Sequence, residues 1–188
     1  MPERALVISV PEAEPIVHSF RERFDPSARR GMPAHITILY PFLSGHSIEG
    51  AALADLENLL RAHPQFDFSL REIRRFPGVL YLASEPSEPF ERLIADVCNK
   101  FPEWPPYAGS VSCPIPHLTI ADVGQRFDLD SIEREFRSLN AAVLPVSARA
   151  RAVALMALRD SKWQREYEFT LRVQPFAAIS RDTEAKRR

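Results

Sequence analysis

The fold can be traced outward from Pro33-Ala34-His35-Ile36-Thr37-Ile38-Leu39-Tyr40-Pro41-Phe42. This stretch is apolar, β-branched and aromatic with a proline near each end, the composition of a strand of about six residues. Successive side chains of a strand point to opposite faces. His35, Thr37 and Leu39 therefore share one face, and Ile36, Ile38 and Tyr40 share the other, which reads as core. The first face sets an imidazole beside a hydroxyl, roughly 6.5–7 Å apart along the backbone. Taken alone, a histidine on an apolar strand is a half-buried side chain with a satisfied hydrogen bond.

An echo changes that reading. Pro114-Ile115-Pro116-His117-Leu118-Thr119-Ile120-Ala121-Asp122 again places prolines ahead of a His, an apolar residue, a Thr and an Ile. His117 and Thr119 share a face as His35 and Thr37 do, and core packing has no reason to ask for the same polar pair twice.

The surrounding elements repeat as well. Residues 5–10 read as a strand, and residues 12–24 as a helix through Ile16, Val17, Phe20 and Phe24. A loop over 25–34 precedes the first His strand, and a turn at 44–47 follows it. The stripe Leu53, Leu56, Leu59 and Leu60 predicts a helix over 48–62, followed by strands at 66–75 and 79–83 split by Pro77-Gly78. The second half runs in the same order: helix 86–100, a proline-rich loop 101–116, the second His strand, a turn at 124–126, helix 129–139 and a strand over 146–158. A turn at 159–162 and a hairpin partner over 163–173 close the pattern. The spacing from His35 to His117 is 82 residues, from Ile48 to Leu129 it is 81, and from Phe66 to Val146 it is 80.

This order predicts an α+β fold, a bilobal pseudo-twofold duplication in which two mainly antiparallel sheets line a central cleft with helices outside. Residues 1–180 are expected to form a single domain of two lobes, and 181–188 a frayed tail.

Composition narrows the class. The 188 residues are 45% hydrophobic, enough for one sizeable core. Basic and acidic residues number 24 and 25, for a net charge of −1. A protein that grips long nucleic acid by its phosphates is usually basic, so a small or terminal substrate is expected. Cys98 and Cys113 make neither a CxxC pair nor a disulfide framework, which fits a reducing cytoplasm. Neither a signal peptide nor a run of membrane-span length is apparent. The expected state is a cytoplasmic monomer with no membrane partner.

Two imidazoles facing each other across a cleft can divide acid and base work. A neutral one takes a proton from a nucleophile, and an imidazolium gives one to a leaving oxygen. In-line displacement at phosphorus needs that opposed geometry. Threonine hydroxyls can donate to the non-bridging phosphate oxygens. No cofactor or metal is called for, because His-x-Thr is not His-x-His and no cluster has zinc-site spacing.

On His35-Ile36-Thr37-Ile38 and His117-Leu118-Thr119-Ile120 the sequence resembles the two-histidine (2H) phosphoesterase superfamily, and its bacterial 2′-5′ RNA ligase-like branch in particular. The resemblance extends in element order to about residue 174. It implies metal-independent hydrolysis of a 2′,3′-cyclic phosphate, on a nucleotide or an RNA end, to a phosphomonoester, with reversible 2′-5′ RNA ligation in some members. It implies that His35 and His117 are the acid–base pair, commonly the first as acid and the second as base, and that Thr37 and Thr119 hold the phosphate.

Other residues carry weaker signals. Arg29, Arg30 and Arg126 flank the motifs on loops and could add charge near a phosphate, although basic side chains are mostly solvated. Trp104 and Tyr107 in the proline-rich loop and Trp163 beside Lys162 could contact a base, with loop-stiffening and turn packing as the plainer readings. His18, His46 and His63 read as structural or surface residues, and neither cysteine as a nucleophile. Two alternatives stand beside the phosphodiesterase: a non-catalytic RNA-end or nucleotide-binding module, and a metal-dependent hydrolase using Asp122. Strand parity puts Asp122 on the face opposite His117 and counts against the second.

Overall fold

In the computed structural model, residues 2–43, 50–112, 114–124 and 127–173 are described. The turn at 44–47, His46, Cys113, Arg126 and the tail lie outside them. Among these residues eight strands and four α-helices follow in the order β1 (Glu3–Ser9), α1 (Glu14–Phe24), β2 (His35–Leu39), α2 (Gly50–Ala62), β3 (Phe66–Phe76), β4 (Val79–Glu85), α3 (Glu88–Lys100), β5 (His117–Asp122), α4 (Leu129–Asn140), β6 (Val146–Ala150), β7 (Ala152–Arg159) and β8 (Lys162–Thr170). The α+β class is as expected.

The strands are hydrogen-bonded in the order β6-β3-β4-β5-β2-β1-β7-β8, and every pairing is antiparallel. This corrects the expectation of two sheets. The His strands do not face each other from separate sheets; they are neighbours at the centre of one, paired at Ile36↔Leu118. The strand expected over 146–158 is also two strands. It breaks at Arg151, so that β6 pairs with β3 on one flank and β7 with β1 on the other. One sequence run serving both flanks requires the sheet to curl.

The convex face carries the main core. Ile36, Ile38, Leu118 and Ile120 are buried there with Ile16, Val17 and Phe20 of α1 and Phe90, Leu93, Ile94 and Val97 of α3. These helical residues recur at the spacing that predicted them. Both helices carry a proline in the first turn, where a missing N–H costs nothing. In α4, Asp128 caps by accepting from Asp130 N at 3.0 Å, and Phe136 meets Phe20 edge-on at 5.1 Å. The concave face has a smaller apolar patch, Ala5, Val7, Met32, Ala154, Met156 and Trp163.

The β3–β4 hairpin is pressed against the end of β5. Gly78 turns it at a φ of +77°, and an added Cβ would lie 2.6 Å from Gly124 Cα. Only glycine meets both conditions. Gly78 O accepts from Val123 N at 2.9 Å. That close approach holds Phe76 and Val79 beside the cleft.

Candidate active site

Strand alternation puts His35 and Thr37, and His117 and Thr119, on the concave face, all partly exposed between fully buried neighbours. The Ile36↔Leu118 register sets His35 across from Thr119 and Thr37 across from His117. Each imidazole is therefore flanked by the other motif's hydroxyl. Both rings are held in one way: Nδ1 of His35 lies 2.7 Å from Pro33 O, and Nδ1 of His117 lies 2.7 Å from Ile115 O. A carbonyl can only accept, so Nδ1 carries the proton in each, and Nε2 is left for proton transfer.

Two cavities meet over this floor. One, of about 250 Å³, includes Glu3, Asp25, Arg30, His35, Tyr40 and Trp163 in its wall. The other, of about 420 Å³, is lined by His117 with Phe76, Val79, Val111, Pro114 and Ile115. Thr37, Thr119, Tyr107 and Asp122 line both. The His35 side is polar and the His117 side apolar.

Two residues reach this cleft against the parity expectation. Pairing with β1 steps from Leu6↔Leu39 to Val7↔Thr37, so Ile38 is an extra residue. Pairing with β4 steps from Leu80↔Ala121 to Tyr81↔Thr119, so Ile120 is one too. A β-bulge shifts every later side chain to the other face. Ile38 and Leu39 are consequently both buried, as are Ile120 and Ala121, and the next residues, Tyr40 and Asp122, line the cleft. Asp122 is thus on the His117 side of the sheet, against the placement expected from parity. Even so, among the described residues no three His, Cys, Asp or Glu side chains are grouped to hold a metal ion.

The histidines differ in surroundings. Burial, and next the Arg21 guanidinium, push the His35 imidazole down from 6.5 to about 4, with Pro33 O and Asp25 opposing. Arg21 is itself buried, its Nε 3.0 Å from Asp25 Oδ2. His117 is lowered by burial, opposed by its bond to Ile115 O. Two rings pack on it, Phe76 at 5.1 Å and Tyr81 at 5.0 Å.

The His35 shift has a consequence for stability. The unfolded imidazole takes its proton near 6.5 and the folded one near 4, so stability present above pH 6.5 is lost as pH falls towards 4. Between pH 7.5 and 5 this contribution is roughly 1–2 kcal/mol. Denaturant melts at both pH values should show His35→Gln losing less stability than wild type by that amount; equal losses would contradict a ring held neutral in the fold.

The remaining candidates divide. Tyr107 is held at the shared wall by its backbone: its N donates to Tyr40 O at 2.6 Å, and Tyr107 and Ala108 take φ of 50° and 54°. Non-glycine residues in that region cost about 1–2 kcal/mol each. Tyr40 donates to Glu3 Oε1, and burial followed by that bond raises its hydroxyl to about 12. Arg30 lines the His35 cavity, whereas Arg29 is exposed outside both walls. Trp163 is 7% exposed, and its indole N–H finds no acceptor among the described residues. Trp104 packs on Phe42 and Phe101 and is absent from both walls. His18 is exposed beside Glu14, and His63 pairs with Asp96 at 3.1 Å.

Sequence comparison matches residues 9–162 to the 2′-5′ RNA ligase superfamily. The chain belongs to that superfamily. Its 2H phosphoesterase-like, LigT-like architecture is seen in solved structures. Escherichia coli LigT, crystallised with 3′-AMP, superposes with a TM-score of 0.58 at 15% identity, over 91% of this chain and 99% of LigT. A crystal structure described as a phosphoesterase gives 0.58 at 14%, over 91% and 98%. TT0787 of Thermus thermophilus gives 0.54 at 17%, over 93% and 100%. At these identities the likeness is one of fold. Comparison with curated protein sequences finds no match. As a member of the 2′-5′ RNA ligase superfamily the chain is a phosphoesterase or ligase-like enzyme. Among its described residues no helix is long and apolar enough to cross a membrane.

Proposed function

We propose that this member of the superfamily opens 2′,3′-cyclic phosphates, on a nucleotide or an RNA end, by in-line displacement without a metal. The observation that carries the reading is the crossed floor: two imidazoles in the same Nδ1-bound state, each across from the other motif's threonine, with both threonines shared by the two cavities. A phosphate over Thr37 and Thr119 has one imidazole on each side. LigT structures with 3′-AMP, ATP and NADP+ support a nucleotide as ligand.

In this reading His35 is the base and His117 the acid. Burial lowers both imidazoles, and the Arg21 guanidinium pushes His35 down further, so His35 is the ring more readily left unprotonated. This reverses the usual order implied by the resemblance. Water loses a proton to His35 and attacks phosphorus, the P–O3′ bond breaks, and His117 protonates the leaving 3′ oxygen. The product is a 2′-phosphomonoester. A 5′-hydroxyl in place of water gives a 2′-5′ linkage by the same exchange. The apolar cavity beside His117 suits the base. A cytoplasmic monomer acting on nucleotides or RNA termini fits this chemistry.

The test is a panel of 2′,3′-cyclic mononucleotides, short cyclic-ended oligonucleotides and 2′-5′ dinucleotides, each with and without chelator. Turnover of at least one cyclic phosphate at an unchanged rate in chelator is expected. Binding without turnover of any of them would leave the nucleotide-binding module, and loss on chelation restored by a divalent metal would leave the metal-dependent hydrolase.

A further inference from the structure

The bulge at Ile120 has put a carboxylate where the phosphate is read to sit. Asp122 lines both cavities together with the two threonines, so it borders the position they share. It is close enough to Tyr107 to raise that hydroxyl, after burial. Among the described residues lining the two cavities, Arg30 is the arginine, and Glu3, Asp25 and Asp122 are the carboxylates. Glu3 and Asp25 lie on the His35 side alone. Asp122 is the carboxylate that both cavities share. The matching bulge in β2 delivers Tyr40, a neutral side chain, so the two motifs end in groups of different charge.

We infer that Asp122 is a specificity-determining residue that selects by phosphate charge, admitting a monoanionic phosphodiester and disfavouring a dianionic phosphomonoester. The inference rests on the phosphodiesterase reading and names what that reaction asks of its site. A cyclic diester enters with one negative charge, and the monoester leaves with close to two at neutral pH. A fixed negative charge at the rim costs the product more than the substrate, which speeds release and weakens product inhibition. It likewise disfavours nucleotides with additional terminal phosphates. At a wet cleft mouth each added phosphate charge is disfavoured about three- to tenfold.

The test compares wild type, Asp122→Asn and Asp122→Glu. The KM for adenosine 2′,3′-cyclic phosphate is set against the Ki of adenosine 2′-monophosphate, at about 0.05 and 0.5 M salt. In Asp122→Asn the monoester should tighten about three- to tenfold more than the cyclic ester. That gap should close at high salt, and Asp122→Glu should behave as wild type. Equal shifts for both ligands, or none, would overturn the inference, because a merely structural role has no means of telling one charge from two. Calorimetric titration of each protein with inorganic phosphate is independent of turnover. Tighter phosphate binding in Asp122→Asn supports the inference even if no cyclic ester is hydrolysed, which would sink the phosphodiesterase reading alone. Phosphate binding that is unchanged, or absent from both proteins, overturns it.

Discussion

Alanine at His117 is expected to lower kcat on a 2′,3′-cyclic nucleotide by roughly 10²–10⁴-fold, and alanine at His35 by a similar factor. The size follows from what each ring does. A leaving oxygen without its proton and a water without its base each raise the barrier by the full worth of one general acid or base. The double mutant should lose less than the product of the two losses, because neither ring has its use without the other. Steady-state rates of the three variants and wild type settle this, alongside thermal melts. The melts should show folded protein, since both side chains are partly exposed on the concave face and only their neighbours Ile36 and Leu118 are fully buried. The pH profile separates the roles. The rate should rise with pH on one limb set by a base and fall on another set by an acid, with apparent pKa values that belong to the pair. With His35 as base, His35→Ala flattens the acidic limb; with the reverse order it flattens the alkaline one.

Valine at Thr37 and Thr119 gives the second large effect. Each hydroxyl that donates to a phosphate oxygen is worth roughly 1.5–3 kcal/mol, or about ten- to 150-fold in kcat/KM. Valine keeps the β-branched shape the strands favour, so the loss reads out the hydroxyl alone. The crossed register adds a finer expectation. Thr119 lies across from His35 and Thr37 across from His117, so if both hydroxyls hold the one phosphate of the proposed reaction their losses are not additive. The double variant should fall short of the product of the single losses. Wild-type kcat/KM in either single variant would remove the phosphate-holding role.

Much of this was legible in the chain because it is local. The proline-flanked His-x-Thr-Ile copies announced two strands and their polar face. The stripes at Ile16, Val17 and Phe20 and at Phe90, Leu93, Ile94 and Val97 announced the helices behind them. What escaped depends on partners distant in sequence. Parity assumes an unbroken ladder, and the bulges at Ile38 and Ile120 break it. Their trace was present: Ile38-Leu39 and Ile120-Ala121 are paired apolar residues followed by a polar one, which alternation does not produce. The split at Arg151 was hidden because both pieces alternate alike, and only closure of the sheet on β1 and β3 separates them. The rings of Phe76 and Tyr81 reach His117 from a hairpin about 40 residues upstream. Nothing in local pattern ties Arg21 and Asp25, on a helix end, to His35.

The most direct measurement is hydrolysis of a 2′,3′-cyclic nucleotide by wild type, His35→Ala and His117→Ala, each with and without chelator. Wild type is expected to turn over at a rate that chelator leaves unchanged, and each folded mutant to lose roughly 10²–10⁴-fold. Full activity in either mutant, or a wild-type rate abolished by chelator and restored by a divalent metal, would contradict the two-histidine, metal-independent mechanism.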